Sequence, residues 1–205
     1  MEGKAWSTRV DVDRADSTRR KELLVAARAV FERLGYGATT VNDITREAGV
    51  SRATFYVYFA SKQEVFAVLA EEVRDAFVAA QAIADIPEED VEQVFRTTIG
   101  AYLDVVLEHL ALITLLDHQS LADPELHALW SGIQARAVDR MARYLSRVED
   151  AGVVALDLAA RPESVALMSG GQTESFAALV KDGTLSRDDA VEEMLALVMR
   201  AIGLR

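Results

Sequence analysis

The sequence predicts an all-α protein, and three observations carry that prediction. Apolar residues recur with a period near 3.6 along most of the chain, and no run alternates as a half-buried strand would. The three prolines, Pro87, Pro124 and Pro162, each stand near an expected helix start, where a missing N–H costs little. Just over half of the 205 residues are hydrophobic (51%), enough to bury a core and too many for a disordered chain. That length allows one large domain or two small ones. About nine helices are expected.

Totals also exclude functions. With no cysteine, thiolate metal sites, disulfide frameworks and cysteine nucleophiles are ruled out. The N-terminus MEGKAWSTRVDVDRADSTRR is polar and charged, unlike a secretory signal. The longest apolar run, residues 110–116, is far short of the roughly 20 residues of a membrane span. A cytoplasmic protein without a membrane partner is expected. Net charge is −11, but it is unevenly distributed. Residues 1–62 hold 11 basic and 8 acidic side chains, a surplus of +3, and residues 63–205 carry −14. That asymmetry suits an acidic body with a nucleic-acid-binding end.

Residues 1–16 read as a flexible arm. Asp16 or Ser17 caps a helix running to about Arg33, with Leu23, Leu24, Ala27, Val30, Phe31 and Leu34 on one face. Gly35 and Gly37 end it. Thr39 or Thr40 caps a short helix from Val41 to Ala48, Gly49 makes a turn, and Ser51 caps another helix from Arg52 to Phe59. On that last helix Phe55 and Phe59, four apart, form the core stripe. Ala53, Thr54 and Val57 point away from it, with Tyr56 on the flank. Small residues there admit a groove floor, and hydroxyls can bond phosphates. Ser61 caps the next helix, and Lys62 adds a charge beside its first N–H groups. Two helices around a glycine turn form the layout that lays a helix in the major groove of DNA.

The segment ATTVNDITREAGVSRATFYVYFASKQEVF resembles the helix-turn-helix signature of the tetracycline-repressor (TetR) family of bacterial transcription regulators. The likeness spans about Arg19 to Leu69 and includes the Phe-Tyr-x-Tyr-Phe run and the Ser-Lys pair. It implies an N-terminal three-helix DNA-binding domain (17–62, motif 40–59) and a helical effector-binding and dimerisation domain (63–205). By the same resemblance Thr40, Asn42, Arg52, Thr54, Tyr56, Val57 and Tyr58 face DNA, and Lys62 sits on a phosphate. The helix after Lys62, expected to reach about Ile83, links the domains in that family, so its tilt would set the spacing of recognition helices.

In the body, helices are expected from Asp90 to about Leu116, from Pro124 to about Glu149, from Pro162 to Lys181, and after a Ser186 cap. The last two resemble the family's four-helix dimer interface, with Val165, Leu179, Val191, Leu195, Val198 and Ile202 as candidate contacts. A homodimer also has a physical ground: one short recognition helix binds too weakly to select an operator. Gly170-Gly171 interrupts the apolar pattern; close helix approach, room for a ligand or a helix break each account for it.

The resemblance further implies a pocket for an unknown small-molecule effector, with Phe95, Tyr102, Trp130, Met168, Gln172 and Phe176 as candidate lining. The body lacks the charge density of a sugar-phosphate or metal site, which favours an apolar or amphipathic effector. His109, His118 and His127 recur every nine residues, a spacing that turns successive ones to opposite sides, and read as unrelated. No catalytic residue, metal or cofactor is expected, since no triad, phosphate loop or metal motif is present. The expected function is a DNA-binding transcriptional regulator, a ligand-responsive repressor on a palindromic operator. The alternative is a helix-turn-helix adaptor that contacts proteins.

Overall fold

The structure is a computed structural model that describes residues 18–80, 90–152 and 155–204. The expected arm, the cap at 16 or 17, the helix end at Ile83, and Pro87 lie outside the described residues. Those residues form nine helical segments and no strand. The chain divides into two compact units, Met1–Leu69 and Ala70–Arg205.

In the first unit, α1 (Thr18–Leu34) buries Leu23, Leu24, Ala27, Val30 and Phe31, the face its 3.6-residue period marks out. It ends at Gly35, whose φ of 77° lets its N–H return to the Phe31 carbonyl at 2.8 Å. Phe31 is fully buried and meets Tyr36 (centroids 5.5 Å apart) and, edge to face, Phe66 (5.4 Å). Such aromatic contacts add to the area they bury. Next come α2 (Val41–Glu47), α3 (Arg52–Tyr58) and the start of α4 (Lys62–Ala80), which contributes Val65, Phe66 and Leu69. An Arg33–Glu47 ion pair at 2.9 Å ties α1 to α2.

In the second unit, α5 (Val91–Ser120) is the central element. Phe95, Leu103, Leu112 and Ile113 along it are fully buried, and α6 (Pro124–Ala151), α8 (Thr173–Lys181) and α9 (Arg187–Ala201) pack around it. Among the described residues it is the one helix long and apolar enough to cross a membrane. Here its apolar side chains serve as core. It runs to Ser120, beyond the Leu116 end expected, because Leu116 and Ser120 remain buried in the same face. The helix expected over 162–181 is broken at Gln172 into α7 (Pro162–Gly171) and α8, and α7 pairs with α6.

Two ion-pair ties bind α9 to α5. Arg187 grips Asp104 with two N–H···O bonds of 2.7 Å, and Arg96 bridges Glu92 and Glu192. The fork geometry suits a carboxylate, though partial exposure keeps each tie to about 1 kcal/mol or less. Beyond α9, Gly203 has φ 79°, and an added Cβ would lie 2.6–2.9 Å from Asp157, two of the three contacts being backbone. Only glycine fits there, so the 155–161 segment can hydrogen-bond to the end of α9 through Asp157 and Ala159.

This packing corrects the expected dimer face. Val165, Val191, Leu195, Val198 and Ile202 are buried inside their own unit, where α7 and α9 close its core. Of the six candidates only Leu179 is exposed, and Leu197 on α9 joins it as an apolar side chain open to solvent.

Candidate nucleic-acid interface and ligand cavity

The geometry of α2 and α3 follows from their caps. Thr40 accepts the Asp43 N–H, and the Asp43 carboxylate accepts the Thr40 N–H and hydroxyl, a complete capping box. Those bonds, side chain first, hold the Asp43 carboxyl below the ordinary aspartate range. Gly49 turns the chain with φ 64°, and the Val50 N–H closes onto the Thr45 carbonyl at 3.0 Å. Ser51 then caps α3 by accepting the Thr54 N–H at 3.1 Å.

With Phe55 and Phe59 turned inward, the outward face of α3 is settled. Arg52, Ala53, Tyr56 and Val57 are exposed, the last two by half or more of their surface. On α2, Thr40 and Asn42 are exposed as well. Thr54 and Tyr58 are half-buried, and the Thr54 hydroxyl is engaged with that of Ser51 at 2.9 Å. The Arg52 guanidinium reaches the Tyr56 hydroxyl at 3.3 Å and lies over its ring, so the two form one polar and aromatic ridge.

Lys62 has a second occupation that sequence reasoning missed. Its Nζ donates to the carbonyls of Tyr36 and Thr39, each at 2.8 Å, and stands 4.4 Å from the Tyr36 ring centre. Burial pulls its ammonium below the ordinary lysine range. It thus ties α4 to the turn that leads into α2, with one of three donors left over. A glycine-flanked tyrosine 26 residues upstream carried no signal for that pairing.

The second unit holds a cavity of about 570 Å³, within the range of small-molecule sites. Phe77, Tyr102, Val106, Trp130, Ile133 and Tyr144 supply its apolar wall. Of the six lining residues expected, Tyr102 and Trp130 are there. Phe95 is instead fully buried core, edge-on to Tyr144 with centroids 6.2 Å apart. Met168 on α7 is exposed to solvent and absent from the wall, and Gln172 and Phe176 are absent because the break at Gln172 resets the face that α8 presents, turning Glu174 to the cavity. The Gln172 Nε2 is buried with no hydrogen-bond partner among the described residues. From α7 the wall takes Ala166, Leu167, Ser169 and the Gly170-Gly171 pair. A Cβ at either glycine would meet nothing within 4 Å, so close helix approach does not account for them. They leave open space.

The expectation of little charge in this body also needs correction. Arg140, Arg143 and Arg147 of α6 all line the cavity. Spacing i, i+3, i+7 puts them on one helix face, a signal readable in the sequence. Among the described residues Glu174 is the one acidic residue in the wall. Burial first, and then the neighbouring Asp117 carboxylate, push the Glu174 carboxyl above the ordinary glutamate range. Asp117 in turn accepts the indole N–H of Trp130. A raised carboxyl pKa favours the fold below the ordinary glutamate value of about 4.3, and that contribution is lost as pH rises past it. Glu174→Gln should therefore melt with the wild type near pH 4 and above it near pH 7. A melting difference independent of pH would contradict this.

His118 and His127, read as unrelated, line one recess of about 290 Å³ with Asp117, because the chain folds back between α5 and α6. Among the described residues no group of three His, Asp or Glu side chains can hold a metal ion. His109 is buried in α5.

A capped pair of short helices about a glycine turn, its second helix exposing Arg52, Tyr56 and Val57, defines a DNA-binding regulator of the helix-turn-helix class. Residues 23–69 match the family of bacterial regulatory proteins known as the tetR family. The HTH-type transcriptional regulator EthR of Mycobacterium tuberculosis is 28% identical over 157 residues, 76% of this chain and 73% of that protein. The HTH-type transcriptional activator FasR of Mycolicibacterium smegmatis is 28% identical over 176 residues, 85% and 78% of the two chains. In fold, the chain is similar to a solved tetR-family regulatory protein from Rhodococcus RHA1, with a TM-score of 0.76 at 22% identity over 92% of this chain and 99% of that one. Residues 23–69 thus carry the DNA-binding region of the tetR family, and the chain as a whole is similar to regulators of that family in sequence and fold.

Proposed function

We propose that this protein is a ligand-responsive repressor that binds a palindromic operator as a homodimer and leaves it when a small effector occupies the cavity of the second unit. The observation that carries the reading is the outward face of α3. An arginine, a tyrosine and a valine stand in the open over a rigid aromatic core, with Ala53 giving clearance for a groove floor. Thr40, Asn42, Thr54, Tyr58 and Lys62 flank that face as phosphate or base contacts. Residues 17–62 serve as the DNA-binding domain and 63–205 as the sensing and dimerising one. Leu179 and Leu197, apolar and exposed on α8 and α9, support pairing of two copies through that side. Effector control then needs only that the ligand prefer the state with lower operator affinity.

The test is binding to DNA from the region upstream of the protein's own gene. Two protomers per site are expected, with log K falling linearly as log salt rises. Absent binding, or affinity indifferent to salt, would overturn the proposal. A relative named as an activator, FasR, makes the sign of control a separate readout: operator binding should lower transcription from the adjacent promoter.

A further inference from the structure

We infer that the cavity takes an amphiphilic anion, its apolar body inside the wall and its anionic group on the arginine rim of α6; the inference rests on the effector-cavity reading above. Charge distribution carries it. Residues 63–205 have a net charge of −14, yet the twelve residues Arg136 to Arg147 contain four arginines and one aspartate. Three of those arginines line the cavity, against the single carboxyl of Glu174 on the opposite helix.

Three other arginines of this unit sit in close ion pairs. Arg74 pairs with Asp75, Arg96 with Glu92 and Glu192, and Arg187 with Asp104. Arg143 differs: its contact is Asp139 at 3.6 Å, with both side chains 67% exposed, a pairing worth little in water. Arg140 and Arg143 are both exposed at the cavity rim, so holding them there serves no core.

The chemistry fits an anion of modest length. At 1.5 Å per residue, positions 140 to 147 span about 10 Å of helix. A guanidinium presents paired donors that match a carboxylate or a phosphate, and two or three of them on one anion add both charge and orientation. Inward from that rim the wall is Trp130, Ile133, Val106 and Phe77, suited to a chain or ring. Both kinds of head group share this chemistry, so the test separates them.

The experiment is isothermal titration of the full-length protein with octanoate, octyl phosphate and octan-1-ol, three probes with one eight-carbon body. At least one anion should bind about tenfold or more tightly than the alcohol, and whichever anion leads names the head group. In Arg140→Gln/Arg143→Gln that preference should shrink to within about twofold, with octan-1-ol affinity unchanged, as an intact wall requires. Equal binding of alcohol and anions, or a preference that survives in the variant, would overturn the anion inference and leave the cavity as an effector site. Failure of all three probes to bind would overturn the effector-cavity reading and the inference with it.

Discussion

Changing Phe31 to alanine should abolish DNA binding by unfolding the unit that carries α3. Phe31 is fully buried and touches two further aromatic rings, Tyr36 and Phe66, one on each side of the motif in sequence. Loss of a buried phenyl group costs about 3–5 kcal/mol through lost transfer energy and the cavity left behind. That is the order of the whole stability of a small domain. Unfolding followed by circular dichroism should show this unit melting early while the α5-centred unit keeps its own transition, since two compact units need not unfold as one. Val25→Ala is the control. That side chain is 70% exposed on the same helix, and its loss should leave the melting profile within a degree or two. A Phe31→Ala protein that melts like the wild type would show that the aromatic cluster does not hold the motif together.

Arg52→Glu should leave the fold intact and lower operator affinity by about a hundredfold or more. Arg52 is exposed in the first turn of α3, and its guanidinium lies beside the hydroxyl and over the ring of the exposed Tyr56. Reversing its charge removes a cation and sets a carboxylate against phosphates, a juxtaposition that costs several kcal/mol, with 1.4 kcal/mol worth tenfold. Fluorescence anisotropy across a salt series measures it. The slope of log K against log salt should also lose about one unit for each protomer bound. Tyr56→Phe, which deletes one hydroxyl, should cost only about 1 kcal/mol. An Arg52→Glu protein within threefold of wild type would place the DNA-contacting face elsewhere.

Much of the fold was legible because helices announce themselves locally. The caps at Thr40, Ser51 and Ser186, the prolines at 124 and 162, and the glycine at 49 all act within a few residues of where they stand. The starts of those helices could be read directly, while the end of α5 and the break at Gln172 could not. The outward face of α3 was legible for the same reason, since Phe55 and Phe59 fix the wheel. Features that depend on distant partners were not. Nothing near Lys62 says that its ammonium ties down the carbonyls of Tyr36 and Thr39. Nor does the pattern of α9 say whether Val191, Leu195 and Val198 meet α5 of the same chain or a second copy, because an apolar stripe looks alike in both cases. The cavity eluded reading for a different reason. Tyr102 and Trp130 do line it, but Phe95 is drawn into the core, and the wall is completed by Gly170, Gly171 and the three α6 arginines, which no aromatic spacing marks.

Gly170 and Gly171 have a consequence for anyone who sets out to make this protein sturdier. Alanine at either position would meet no neighbour and would firm up the last turn of α7, a gain of about 0.5–1 kcal/mol. Both glycines line the cavity, so a methyl group at either adds bulk at its wall. On the proposed effector reading, a screen that rewards heat resistance alone would therefore favour variants with a more crowded cavity wall and a weaker response to ligand.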